Sequence, residues 1–398
     1  MKIGYDFDGV LTMNVGPIDI NGERHATKDL IKIKDLIKKI KNKIISELKL
    51  NYEIYIISRN KTSNIIPLLE RYFPEIYNKT PKENIILGLG DLNVAKSQIV
   101  LKLGLDAFYD DSPLNLHQIN RLLKQDIIKT NLFLVNPDTS SYKEIHKNNY
   151  KILTYNVCWE NMKGRRNKRG IIHNEGCLEP NRCSSNISEF IKNELPLDFI
   201  LLQEAANIGT LLSTLPDVYQ IILYKSGLET ILTIVNNSYK IIVSFGGEFE
   251  RGRPFLCTFL CTFLSNICLI NVHMGHKKKF RYDMKIIEEF LLEHNYSYKQ
   301  FESYRVIIGG DFNQKLDSEY EFMGKKIYKN ISTSSYGLKT KHNAEPIEML
   351  NNFIMKDIDH IFDSDNNIVY SINLTPIDAE KRILPASDHV AIYAELRR

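Results

Sequence analysis

The hydrophobic pattern changes character once along this chain, and that change commits it to two separately organised halves. Up to about residue 136, short apolar runs alternate with stretches whose apolar residues recur at helical spacing. Lys2–Asp6, Glu53–Ile57, Ala107–Tyr109 and Leu132–Val135 read as buried strands, with helical patterns over Thr27–Leu48 and Leu114–Lys124. Strands alternating with helices predict an α/β domain, a parallel sheet with helices on both faces. From Tyr150 onward the strands crowd together: Ile152–Val157, Phe199–Leu202, Lys240–Ser244, Phe255–Leu264, Ile267–Val272, Arg305–Ile308 and His360–Phe362. Only Ile187–Asn193 and Met284–Glu293 stand out as helices there. That density predicts an α+β domain built as a four-layer α/β/β/α sandwich. Between the halves, Asn136-Pro137-Asp138-Thr139-Ser140-Ser141 is a cluster of breakers. The expected division is a domain over 1–136, a linker over 137–149 and a second domain over 150–398.

Composition narrows the class. A chain of 398 residues, 43% hydrophobic and 25% charged, has material for two folded cores. No apolar run approaches the ~20 residues that span a bilayer. Met1-Lys2-Ile3-Gly4-Tyr5-Asp6 enters a strand directly, so no signal peptide is expected, and the expected location is cytoplasmic or nuclear. Six cysteines in a chain of this size do not imply a disulfide framework, and a reducing compartment is the simpler expectation. Cys177 and Cys183, with His173 nearby, are a weak zinc alternative without a C-x-x-C knuckle. The net charge of +4 is mild, but Lys163-Gly-Arg165-Arg166-Asn-Lys168-Arg169 and Lys277-Lys278-Lys279-Phe280-Arg281 are dense. Arg165, Arg166, Lys277, Lys278, Lys279 and Arg281 are therefore candidates for contact with a polyanion, against the plainer reading of solvated loops.

Acidic residues gather at the ends of the predicted strands. In the first half these are Asp6-Phe7-Asp8-Gly9-Val10, Ser58 after Tyr55-Ile56-Ile57, Lys96 in a helical stretch, and Asp110-Asp111-Ser112-Pro113 after Ala107-Phe108-Tyr109. This ordered set resembles the haloacid dehalogenase superfamily of phosphatases. The resemblance implies a nucleophilic Asp6 that forms an acyl phosphate, and an Asp8 that protonates the leaving oxygen and then activates water. It implies Ser58 and Lys96 on the phosphoryl oxygens, and Mg²⁺ held among Asp6, Asp8, Asp110 and Asp111. Residues 13–57 and 59–95 leave no room for a separate cap domain. In this superfamily a capless site is open and suits large substrates such as nucleic acid ends or phosphoproteins.

The second half carries Thr154-Tyr155-Asn156-Val157, Leu202-Gln203-Glu204, Asn271-Val272-His273, Gly310-Asp311-Phe312-Asn313, Asp359-His360-Ile361 and Ser387-Asp388-His389. In that order they resemble the endonuclease/exonuclease/phosphatase superfamily, which includes pancreatic-type deoxyribonucleases, tyrosyl-DNA phosphodiesterases, deadenylases and inositol polyphosphate 5-phosphatases. The resemblance implies Glu204, Asn156 and Asp388 around Mg²⁺, Asp311 activating water, and Asn313 holding phosphate. It also implies that His389, oriented by Asp359, donates to the developing oxyanion, with His273 a second phosphate-side histidine. His273 stands where apurinic endonucleases carry tyrosine, and Cys158 where several DNA-repair members place an acid. His360, His276 and His117 read as packed or surface residues.

Together the motifs imply a bifunctional phosphoesterase of nucleic acid with one Mg²⁺ per domain, Mn²⁺ being the alternative ion. Two further readings stay open. One is an inositol phosphate or phospholipid phosphatase using the same second-half residues; the other is a binding module with inactive sites.

Overall fold

A computed structural model describes residues 1–12, 36–90, 94–124, 127–136, 141–146, 148–158, 182–205, 208–227, 229–250, 252–262, 265–275, 280–329, 336–337, 354–355, 358–377, 384, 386–387 and 389–398. Its contacts divide the chain into two compact units, Met1–Asn149 and Tyr150–Arg398.

The first unit begins with β1 (Lys2–Asp6), α1 (Leu36–Lys49), β2 (Glu53–Ile57), α2 (Thr62–Tyr72) and α3 (Pro74–Lys79). It continues with β3 (Ile85–Ile86), α4 (Lys96–Leu103), β4 (Ala107–Asp110), α5 (Pro113–Lys124), β5 (Asn131–Asn136) and β6 (Ser141–Ile145). Five strands run parallel in the order β3-β2-β1-β4-β5, and β6 closes the edge antiparallel to β5. Burial on both faces explains why the inner strands read as continuous apolar runs. On one face Ile3, Tyr5, Ile54 and Ile56 pack with Ile40 and Ile44 of α1, Ile65 and Leu69 of α2, and Ile76 of α3. The strand order reverses direction between β1 and β4, and a crevice at such a switch point, beyond the strand ends, is where doubly wound sheets take ligands.

The second unit opens with β7 (Tyr150–Asn156), α6 (Arg182–Glu194), β8 (Phe199–Gln203), α7 (Ile208–Leu212), β9 (Tyr219–Ser226) and β10 (Glu229–Asn236). Next come β11 (Lys240–Phe249), β12 (Arg253–Cys261), β13 (Asn266–His273), α8 (Phe280–Glu293), α9 (Tyr298–Phe301) and β14 (Tyr304–Asp311). The last strands are β15 (Glu319–Phe322), β16 (Lys325–Lys329), β17 (Tyr336–Gly337), β18 (Ile354–Met355), β19 (Asp359–Asp363), β20 (Ile368–Leu374) and β21 (Ala391–Leu396). They build a six-stranded sheet, β20-β21-β7-β8-β10-β9, a seven-stranded sheet, β11-β12-β13-β14-β19-β16-β15, and the small pair β17-β18. The two large sheets face one another across Ile152, Phe199, Leu201 and Ile392 on one side and Leu260, Ile267, Leu269 and Ile307 on the other. Outside the seven-stranded sheet, α8 presents Phe280, Met284, Ile287 and Leu291 at helical spacing to a second core with Phe255, Val306 and Phe312. Outside the other sheet, Phe190 of α6 meets Tyr155 edge to face at 5.8 Å. The unit is an α/β sandwich.

Several expectations need correction. Residues 141–145 are not part of a tether, because β6 completes its backbone hydrogen bonds on β5. Cys183 is disulfide-bonded, so it has no thiolate to offer zinc, and a fully reduced chain is not what the structure shows. Cys177 and His173 lie outside the described residues, as do residues 13–35, on which part of the argument against a cap rests. Among the described residues no helix is long and apolar enough to cross a membrane.

Candidate active sites

In the first unit β1 ends at Asp6, and parallel pairing with β2 and β4 brings Asp6, Ser58 and Asp110 to one end of the sheet. Asp6, Asp110 and Asp111 each place a carboxylate oxygen within 4.8 Å of the others. Lys96, the first residue of α4, reaches under them: its Nζ lies 2.5 Å from Asp6 Oδ2 and 2.9 Å from Asp110 Oδ2. Asn115 Nδ2 and the Ser112 N–H also donate to Asp110, fixing that carboxylate from behind. Asp8 stands apart from the trio. It accepts from Ser58 Oγ at 3.2 Å, so Ser58 here steadies Asp8, and Asp8 lies outside the grouping of three carboxylates in which it was expected.

The charge state follows from burial. Desolvation raises Asp6 and Asp8 above the usual carboxylate range despite the neighbouring Lys96 ammonium, and lifts Asp111 to about 7 with help from Asp110. Burial alone would lower Lys96, but Asp110 and Asp6 outweigh it and hold it firmly protonated. One ammonium faces four acids. Three converging carboxylates with uncompensated charge suit a hard divalent cation such as Mg²⁺.

In the second unit the strand ends of both large sheets supply the site. Asn156 Nδ2, at the end of β7, donates to Asp311 Oδ2 at 2.9 Å and to Glu204 Oε1 at 3.2 Å. Its Oδ1 accepts from the Cys158 N–H. In this rotamer the amide ties two acids together; turning it by 180° would present Oδ1 to a cation between them, at the loss of the Cys158 bond. Asp311 closes β14 and is 1% exposed. Its Oδ1 accepts from the Asn313 N–H at 2.8 Å, while Asn313 Nδ2 donates to Met274 O, away from Asp311.

Two imidazoles flank Asp311, each backed by an acid. His389 Nε2 is 3.7 Å from Asp311 Oδ2, and its Nδ1 is 2.8 Å from Asp359 Oδ2. His273 Nε2 is 3.5 Å from the same Asp311 oxygen, and its Nδ1 is 3.0 Å from Glu229 Oε2. Burial pushes His273 down to about 4, overriding Glu204 and Asp311, so it is neutral near pH 7. Arg253 joins the same wall, 3.4 Å from Glu229 and 3.6 Å from Glu204. Asp311, Asp359 and His389 also bring one ligand atom each within 4.8 Å of one another, a second grouping that could hold a cation.

Glu229 and Arg253 were not foreseen. They open β10 and β12, strands whose starts carry no acid motif. The signals that could have found them were the Tyr219–Ser226 alternation and the Ser226-Gly227 turn pair, which mark a hairpin leading into Glu229. His360 is fully buried, its ring against Phe312 and its Nε2 on Gln314 O, as a packed residue should be. His117 is likewise buried. Asp388, Arg165, Arg166, Lys277, Lys278, Lys279 and His276 lie outside the described residues. Arg281 is described, and its Nε donates to Tyr320 OH on the flank of α8.

No protein-family profile matches the sequence. The uncharacterized protein L684 of Acanthamoeba polyphaga mimivirus is 31% identical over 283 residues, 62% of this chain and 50% of that protein. The chain thus spans about half the length of the curated relative it matches. Among solved structures, truncated Caenorhabditis elegans TDP2 has a TM-score of 0.47 and 14% identity, covering 63% of this chain and 98% of that one. The Bacteroides thetaiotaomicron mannosyl-6-phosphatase Bt3783 gives 0.45 and 14%, covering 63% and 100%. The human Nocturnin catalytic domain with bound sulfate anion gives 0.40 and 15%, covering 62% and 93%. Likenesses of this size say nothing of substrate.

Proposed function

We propose that the chain is a divalent-metal-dependent phosphoesterase of nucleic acid. Residues 150–398 would hydrolyse phosphodiesters as an endonuclease/exonuclease/phosphatase-type unit, and the first unit phosphomonoesters as a haloacid dehalogenase-type unit. The observation that carries the reading is the convergence on Asp311: Asn156 and His273, at the ends of β7 and β13, and His389, just ahead of β21, reach one buried carboxylate.

In the second unit Glu204 and Asn156 would hold the cation, with Asp388 a further candidate ligand by its motif. A bound Mg²⁺ would offset charge on a non-bridging phosphate oxygen. Asp311 takes the proton from an attacking water, and the Asn313 N–H fixes which carboxylate oxygen faces inward. Asp359 supports a proton on His389, which donates to the leaving oxygen. Neutral His273, backed by Glu229, lines the opposite side, and Arg253 supplies fixed positive charge beside it. In the first unit Asp6, Asp110 and Asp111 would hold the cation, while Lys96, shared between Asp6 and Asp110, offsets one negative charge and keeps the two close. Asp6 attacks phosphorus and Asp8, held by Ser58, exchanges the proton with the ester oxygen.

The test is incubation of the full chain with end-labelled DNA, end-labelled RNA and inositol polyphosphates, in Mg²⁺, in Mn²⁺ and in chelator. Metal-dependent shortening of a polynucleotide is expected. Preferential release of phosphate from the inositol compounds would move the substrate class. Polynucleotide retention without cleavage in either metal would leave a binding module.

A further inference from the structure

We infer that the two sites act in series: the phosphomonoester end made at the Asp311 site is the substrate consumed at the Asp6 site, so the chain converts a phosphodiester into two hydroxyls and orthophosphate. The inference rests on the two-site reading above and adds an order to it.

The chemistry allows one direction only. At the Asp311 site the oxygen of water bonds to phosphorus and one bridging P–O bond breaks. The water proton passes through Asp311, and the leaving oxygen is protonated from His389. Each cut makes one hydroxyl end and one phosphomonoester end. At the Asp6 site the carboxylate bonds to phosphorus, the remaining ester bond breaks, and Asp8 protonates the departing oxygen. Water, giving its proton to Asp8, then splits the acyl phosphate into orthophosphate and free Asp6. Two waters are consumed and no oxidant or other reactant is needed. Removing a terminal phosphate, in contrast, generates no new diester for Asp311.

The shape of the first site favours an end over an internal linkage. Asp6 is 4% exposed, at the strand terminus beneath the partly exposed Asp8 and Asp111. A terminal phosphoryl group has one substituent and can approach such a nucleophile end-on. A diester carries chain on both sides and must bring both past the flanking acids. The Asp311 site is walled by groups from several strands, with Arg253 and Glu204 partly exposed. Both sites reside on one polypeptide, which fixes them at equal amounts.

The experiment uses the full chain and an oligonucleotide whose only radioactive phosphate is in an internal diester. The parent should release the label as orthophosphate. Asp6→Asn should halt it as a terminal phosphomonoester, and Asp8→Asn should do the same should the first variant prove misfolded by circular dichroism. Asp311→Asn should leave it in the diester yet still dephosphorylate oligonucleotides supplied with a 5′- or 3′-terminal phosphate. The inference is overturned if the parent cleaves the diester and dephosphorylates one kind of supplied end, but its own product end persists with label. Undiminished orthophosphate release by both Asp6→Asn and Asp8→Asn would overturn it too. A folded parent with no monoesterase activity on either supplied end would instead sink the two-site reading beneath it.

Discussion

Replacing Gly9 with alanine tests the first site at its tightest point. Gly9 sits at φ +77°, and a Cβ there would lie 2.0 Å from Asp111 Oδ2 and 2.1 Å from its Cγ. Ordinary contact begins near 3.4 Å, so Asp111 must withdraw by roughly 1.4 Å (3.4 − 2.0) or the turn must open. Cation sites tolerate about 0.2 Å in ligand distance, and a misplacement of ~1 Å near reacting groups costs ~10²-fold in rate. The left-handed backbone adds about 1–2 kcal/mol for a residue with a side chain. For a unit of this size that is a melting shift of roughly 2–8 °C. Gly104, the left-handed cap of α4 at φ +59°, would have nothing within 4 Å of an added methyl group and serves as the control. Gly104→Ala should show the melting shift alone; Gly9→Ala should show that shift, a ~10²-fold loss of p-nitrophenyl phosphate hydrolysis and a raised Mg²⁺ requirement. Parent activity and metal requirement in Gly9→Ala, or equal loss in Gly104→Ala, would falsify the placement of Asp111 at the cation.

Other outcomes follow from the second unit. Asp311→Asn should keep metal-dependent polynucleotide binding yet lose nearly all cleavage, since an amide cannot take a proton from water; Glu204→Gln should instead raise the Mg²⁺ concentration at half-maximal rate, and a titration of both variants separates the two. With its pKa held near 4, His273 should stay neutral in the folded chain between pH 5.5 and 8, and an imidazole resonance that titrates near 6.5 and disappears in His273→Gln would contradict this. The sign is that of a depressed group: below about 6.5 the unfolded chain takes up a proton that the folded one refuses, so His273 erodes stability as pH falls from 6.5 towards 4, and His273→Gln should flatten that part of the stability curve in urea melts. Neutralising Lys277, Lys278, Lys279 and Arg281 should weaken duplex binding and reduce its log–log salt slope by ~0.9 for each phosphate that is no longer neutralised; an unchanged slope assigns the cluster to solvent.

What could be read in the sequence depended on where each strand sits in its sheet. Central strands such as β1 and β2 are buried on both faces, and their apolar runs mark them to the residue. Edge and near-edge strands were harder. β6 has Ser141, Tyr142 and Lys143 exposed, so its half-polar pattern passed for a linker. β20 and β21 hide polar residues inside: Glu395 is fully buried and accepts from Tyr370 and Tyr393, a combination that apolar periodicity cannot detect. The same contrast governs the sites. Acids at the ends of apolar runs, such as Asp6, Asp110, Asp311 and Asp359, announce themselves, because a charge there interrupts a buried pattern. Glu229 and Arg253 gain meaning only from His273, which meets Glu229 across the two sheets and Arg253 from the neighbouring strand, long-range pairings that no local spacing encodes.

The buried amides beneath the second site have a consequence for how this unit can vary. Asn271, on the seven-stranded sheet, accepts from Gln203 Nε2 at 2.7 Å and donates to Leu232 O at 2.9 Å, both on the opposite sheet. Aliphatic faces attract without direction and would allow one sheet to creep over the other; a hydrogen-bonded amide does not. It works as a dowel between two planks. Asn156, Glu204 and Glu229 ride on one plank, and His273, Asp311 and Asp359 on the other. The pocket is therefore a seam, and its tolerances are those of the joint. Aliphatic residues of the joint can drift in size with a cost felt mainly in melting temperature, whereas the amides set alignment and leave their mark on rate.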